Sequence, residues 1–151
     1  MPTSTQLDTR VLDAIIRNLD GNVANAVAKA AFAIEGRAKL KAPVDTGALR
    51  ASIYVSFKRS SGFDDAKASA TQRSQRKNGA GVIRPLKDEN FVQLPTPQDD
   101  ATAYVGPSVE YGAGVELGTS TRAGTPYLLP AVREVEVEFR KLLGEAVTNG
   151  K

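Results

Sequence analysis

The stretch Ala42-Pro-Val-Asp-Thr-Gly47 divides two kinds of periodicity, and that switch restricts the architecture more than any other feature. Before it, Val23, Val27, Ala30, Ala31, Ile34 and Ala38 recur at the spacing of one helical face. After it, Ser52-Ile-Tyr-Val-Ser-Phe57 alternates and is rich in β-branched and aromatic residues, which puts Ile53, Val55 and Phe57 on the inner face of a strand. Pro43 ends the helix, because its ring pushes the preceding residue out of the helical region. Asp45 or Thr46 is expected to accept a backbone N–H, and Gly47 to take a conformation barred to other residues. A helix therefore turns sharply into a strand.

The other elements fit the same class. A first helix is predicted over Leu7 to Leu19, with Leu12, Ile15, Ile16 and Leu19 on one face and Thr5 and Asp8 as a capping box. Asp20-Gly21-Asn22 is expected to break it, with Asn22 capping a second helix that runs to Lys41. A second strand is predicted over Thr102–Gly106, stopped by Pro107, and short extended pieces at Val82-Ile83 and Phe91–Leu94 would add a hairpin. Leu128, Val132, Val135, Phe139, Leu142 and Ala146 step by four and three along a last helix. Its regular part is placed from Pro130, since proline at the first position of a helix costs nothing.

The expected fold is α+β: a small antiparallel sheet packed by an N-terminal helix pair and a long C-terminal helix. Residues 1–151 form one domain, with a flexible basic insertion at about 58–100. Between Ser60 and Lys77 the only large apolar side chain is Phe63, too little buried surface to offset the entropy of ordering. Pro95 and Pro97 stiffen the exit from the insertion.

Composition excludes several chemistries. The chain has no His and no Cys, which removes Ser-His-Asp and Cys-His catalysis, thiol chemistry, disulfides and the usual zinc ligands. No apolar run approaches the ~20 residues of a spanning helix, and the first residues lack the regions of a secretory signal, so no membrane partner is expected. A net charge of +3 says little until the charges are located.

Four constellations invite a catalytic or binding reading. Asp45-Thr46-Gly47 is the triplet of aspartic proteases, but those need two facing carboxylates, and this chain has one such triplet. Gly112-x-Gly114-x-x-x-Gly118 has one residue too many for a dinucleotide loop and follows no parallel-sheet strand. Glu35, Glu110 and Glu116 are expected to be solvated or ion-paired, since nothing places two of them across a cleft. The basic run Lys67, Arg73, Arg76 and Lys77 is a candidate for DNA phosphate or an acidic partner, yet it lacks the aromatic interleaving of single-strand binders. No catalytic residue, cofactor or metal ligand is assigned.

Three ordered stretches carry a resemblance. Ala42-Pro-Val-Asp-Thr-Gly-Ala-Leu-Arg-Ala-Ser52, Tyr111-Gly-Ala-Gly-Val-Glu-Leu-Gly-Thr119 and Pro126-Tyr-Leu-Leu-Pro-Ala131 are similar to the "gene product ten" family of lambdoid long-tailed phages, which are head–tail joining or tail-completion proteins. Ala113-Gly114 is slimmer than the family's usual residues there, and the middle insertion is longer and more basic. The resemblance implies a structural virion protein and no enzyme. It implies a homo-oligomeric ring, a hexamer, at the neck or upper tail, made in the host cytoplasm. Its partners would be head-closure or connector proteins, tail tube or terminator proteins, and DNA passing through the lumen without sequence readout. Assembly contacts are assigned to Asp45, Thr46, Gly47, Leu49, Arg50, Tyr111, Glu116, Gly118, Thr119, Pro126 and Tyr127, with Arg50 and Glu116 as an ion pair within or between subunits. The alternative is a basic nucleic-acid-binding module.

Overall fold

The computed structural model describes residues 10–149. Thr5, Leu7 and Asp8, where the first helix was expected to start, lie outside them. Helix α1, Arg10–Lys41, runs unbroken through Asp20-Gly21-Asn22. The predicted helix pair is therefore one rod. A single internal glycine costs a helix only about 1 kcal/mol, too little by itself to end one. The Asn22 side-chain amide donates to the Ala146 carbonyl at 3.4 Å, across to the C-terminal helix, instead of capping a second helix.

Beyond Pro43 the chain enters a one-turn helix α2, Ala48–Ser52, before strand β1, Ile53–Ser56. All four β1 residues are buried, so the two-faced alternation read from the sequence is not realised. One face packs on α1, and the other lies under the chain that follows. Strand β2, Tyr104–Pro107, pairs antiparallel with β1, Ile53 opposite Pro107 and Ser56 opposite Tyr104. Phe91 makes an isolated bridge to Val109, while Val82 and Ile83 join no strand and are exposed.

Part of the stretch read as unstructured forms helix α3, Phe63–Ser74, with Ala66, Ala70 and Ser74 buried. Its buried face is alanine and serine spaced by four, small enough to lie close on α2 and β1. An apolar-residue count misses that stripe. Leu86 N–H donates to Ser74 Oγ at 3.0 Å and brings the following loop back along the helix, and a 3-10 turn spans Asp88–Asn90.

Helix α4, Gly112–Leu117, leads into a two-rung hairpin of β3, Gly118–Thr119, and β4, Arg122–Ala123. Helix α5, Leu128–Thr148, then packs antiparallel along α1. It begins two residues before Pro130. The third residue of a helix has no intrahelical acceptor for its N–H, so proline costs nothing there either. Ion pairs Arg37–Glu138 at 2.6 Å and Lys41–Glu134 at 2.5 Å flank the α1–α5 contact. The core is Ala38, Ala42, Leu49, Ile53, Ala70, Val109, Tyr127 and Ala131, half of it alanine. Burying alanine removes little area from water, so Tyr127, Ile53, Leu49 and Val109 supply most of the buried apolar surface, and the alanines let the elements approach closely.

Candidate functional site

The second and third motif stretches fold into one joint. The Glu116 carboxylate, at the end of α4, accepts backbone N–H groups from Tyr127 at 2.7 Å and from Leu128 and Leu129 at 2.9 Å each. These are the unsatisfied donors at the start of α5, and Pro130 has none to offer. A carboxylate there also meets the positive end of the helix dipole. Partial burial pushes the Glu116 pKa up and the three N–H donors pull it down; the donors win, and it lies below its ordinary value.

Tyr127 is fully buried, and its hydroxyl donates to the Gly112 carbonyl at 3.0 Å. Burial first, then the Glu116 charge and Tyr111, raise its pKa far above that of a free phenol. A Cβ at Gly112 would stand 2.4 Å from Pro107 Cγ. Gly118 has a φ of +85° and would place a Cβ 2.6 Å from the Gly124 nitrogen, while one at Gly124 would meet the Glu116 carbonyl at 2.7 Å. The spacing Gly112, Glu116, Gly118, Gly124 and Tyr127 therefore encodes a close fit inside one chain.

The first stretch meets this joint across a cleft of about 450 Å³. Ala48 N–H donates to Thr46 Oγ1 at 3.3 Å, and Gly47 has a φ of +88°, as the turn chemistry required. Pro43, Val44, Leu49, Leu86 and Val115 supply an apolar floor, with Asp45, Tyr111, Arg84 and Arg122 among the polar lining. Tyr111 is exposed along one side, and the partial burial of the other, with a smaller push from the Asp45 carboxylate, raises its pKa.

The residues assigned to assembly thus divide. Asp45, Arg50, Tyr111, Thr119 and Pro126 are exposed. Leu49 and Tyr127 belong to the core, and Gly47, Gly118 and Glu116 serve backbone geometry. Arg50 and Glu116 form no ion pair within the chain, because both Glu116 oxygens face α5. Lys67 is engaged as well: its ammonium pairs with Asp88 at 2.9 Å and lies 5.5 Å from the Phe91 ring centre. Arg73, Arg76 and Lys77 stay exposed near the C-terminal end of α3.

The three glutamates weighed as an acid–base pair are engaged separately. Glu35 pairs with Lys39 at 2.6 Å, Glu110 accepts from Asn90 at 2.9 Å, and Glu116 caps α5. Sequence reading missed Arg84, Arg122, Gly124 and the exposed apolar residues Leu117, Leu40 and Val137. The distribution of charge could have revealed the two arginines. Residues 66–87 hold six basic side chains and no acid, and residues 88–121 hold six acidic side chains and no base.

An α+β scaffold whose distinctive residues join its own helices defines a structural module. Residues 10–118 match the profile of the HK97-gp10-like family, described as "Bacteriophage HK97-gp10, putative tail-component". The chain belongs to that family and is a phage tail component of the virion. The match covers the first two motif stretches as far as Gly118; the Pro126–Ala131 stretch lies beyond it. No curated protein and no solved structure matches the chain. Among the described residues no helix is long and apolar enough to cross a membrane.

Proposed function

We propose that this tail component acts at the head–tail junction, where copies form a closed ring around the DNA channel and join or complete the tail. Its neighbours would be head-closure or connector proteins on one side and tail tube or terminator proteins on the other. The observation that carries the reading is the mismatch between inside and outside. The core is built largely of alanine, while Leu117, Leu40 and Val137 stand 82, 79 and 74 % exposed. Burial of those side chains against neighbours would supply apolar area that the isolated fold does not capture. A ring needs two different patches per subunit, one for each neighbour.

The role is tested by deleting the chain from its phage and imaging the lysate. Filled heads and separate tails are expected; normal numbers of joined, infective virions would rule the role out. A second reading, a nucleic-acid-binding module, draws on exposed Arg73, Arg76, Lys77, Arg84 and Arg122. It predicts a mobility shift of random-sequence duplex by the isolated chain, weakening steeply with salt.

A further inference from the structure

Two clusters of exposed charge, one mainly basic and one mainly acidic, lie at opposite ends of the β1–β2 ribbon. The register of β1 and β2 gives the ribbon two ends. At the Ile53–Pro107 end, α2 enters and the chain leaves toward Tyr111, so the Arg84–Arg122 cleft lies there. Arg73 also reaches this end: its side chain is the nearest group to Gly47, 3.7 Å from where a Cβ would stand. Arg76 and Lys77 follow within a turn. Asp45 is the one carboxylate lining the cleft, and Glu110, held by Asn90 next to Tyr111, is a further acid at this end.

The Ser56–Tyr104 end has the opposite character. Gly62 N–H bonds to the Val55 carbonyl at 3.1 Å, and Asp64 and Asp65 follow, both exposed. Asp99 and Asp100 precede β2 at the same end, also exposed. Arg59 answers Asp100 at 3.6 Å, and Lys58 precedes it in the chain. Lys67 and Lys39 line depressions shared with Asp64 and Asp65, Lys39 being paired with Glu35 and Lys67 with Asp88. Asp99 spends one oxygen on Ala101 N–H and the Thr102 hydroxyl, which holds the turn in place. Helix α3 spans the two ends, about 18 Å for twelve residues. Acid at its start and base at its end suit its dipole, but Asp99, Asp100, Arg84 and Arg122 come from other elements, so the dipole does not account for the segregation.

We propose that the acidic end of one copy, Asp64, Asp65, Asp99 and Asp100, seats in the Arg84–Arg122 cleft of the next, so that copies join head to tail. The contact is heterologous, the kind that closes into a ring when its rotation permits. A second copy suits the cleft better than DNA does. The floor formed by Pro43, Val44, Leu86 and Val115 is apolar and has nothing to offer a phosphate backbone, whereas a protein loop brings apolar atoms beside its carboxylates. The same chain also carries the complementary patch. The inference rests on the ring reading above and specifies its subunit contact.

Two experiments on the full chain test it. The chain has no Cys, so a variant carrying Asp99→Cys and Arg122→Cys can form disulfides only at the introduced sites. Oxidation should give a covalent ladder, and each single substitution at most a dimer. Charge reversal is the second. Arg84→Glu/Arg122→Glu should raise the concentration needed for assembly about tenfold or more, and Asp99→Lys/Asp100→Lys should do the same. Mixing the two variants should restore assembly, because each then offers the end that the other needs; misfolded variants would not recover. A wild-type chain that assembles without the Asp99–Arg122 crosslink overturns this contact and leaves the ring standing. A chain that neither assembles nor crosslinks overturns both. If the arginine reversal abolishes only the shift of a random-sequence duplex and leaves the assembled mass unchanged, the cleft faces DNA and the proposal falls.

Discussion

Two regions of this molecule specify structure in different ways. The joint over residues 111–131 is fixed by groups that admit no substitute: glycines where a Cβ would overlap backbone or proline, and a carboxylate that satisfies three amides. The stretch over residues 58–103 rests on a stripe of small residues, a few backbone anchors and surface ion pairs, which are worth under about 1 kcal/mol each. The first region is costly to alter at those groups, yet it still exposes Leu117 and Arg122. The second tolerates change and carries much of the exposed charge. Shape depends on the first far more than on the second.

Glycine substitution should break this comparison most sharply. Gly112→Ala must displace Pro107 and crowds the Tyr127 hydroxyl, and Gly124→Ala must displace backbone where α4 runs into β3. Each is expected to cost about 2–4 kcal/mol, within the range for overpacking plus a broken buried hydrogen bond. Gly79→Ala, in open space within the other stretch, should stay within about 0.5 kcal/mol of wild type. Denaturant midpoints at constant slope measure all three, and similar losses at Gly79 and Gly112 would erase the distinction.

Glu116 comes next. Glu116→Ala strands three amides at the head of α5 and should cost about 1.5–3 kcal/mol at neutral pH. The folded-state pKa is depressed, so this contribution is complete above the unfolded carboxyl's value of about 4.3 and is lost as pH falls through the folded pKa. Wild type should therefore lose stability to acid more steeply than Glu116→Gln. Parallel acid limbs for the two proteins would show that the carboxylate charge plays no part in the cap.

How much of this the sequence reveals depends on the range of each interaction. The turn at Thr46-Gly47 and the stop at Pro43 are local, and both stand where residue chemistry puts them. The terminal helix is legible because its apolar stripe outlasts the local alternation Val135-Glu-Val-Glu-Phe139. The unbroken α1 is not legible, since Asp20-Gly21-Asn22 reads locally as a stop, while Asn22 is in fact engaged by α5, more than a hundred residues away. Helix α3 escapes notice because alanine and serine, its buried residues, do not register as a stripe. At the site, Asp45, Gly118 and Tyr127 are conspicuous, but their roles are not. A glutamate twelve residues before the helix it caps looks the same in sequence as one at a subunit interface.

Tyr54 sharpens the comparison from the side of the tolerant stretch. Its ring is buried in β1, and its hydroxyl accepts the Leu94 N–H at 2.6 Å, while Ser56 Oγ donates to the Pro95 carbonyl at 3.2 Å. Burial raises the Tyr54 pKa, against the lowering effect of the Leu94 amide. Tyr54→Phe keeps the packing and removes one acceptor, so about 1 kcal/mol should be lost. Amide exchange should quicken around Leu94 and remain slow at Leu128. Equal acceleration at both sites would mean that the two regions open together.

The smallest expected effect is a gain. Gly21 lies in mid-helix, and a Cβ there would meet nothing within 4 Å, so the reasons that forbid alanine at Gly112 are absent. Alanine restricts the unfolded chain more than glycine does and favours the helix, which together stabilise by about 0.5–1 kcal/mol. If Gly21→Ala raises the thermal midpoint without altering assembly, glycine in this chain constrains the fold only where another group presses on it. A loss of stability would instead mean that α1 needs the freedom of glycine at Gly21 and behaves there as two jointed helices.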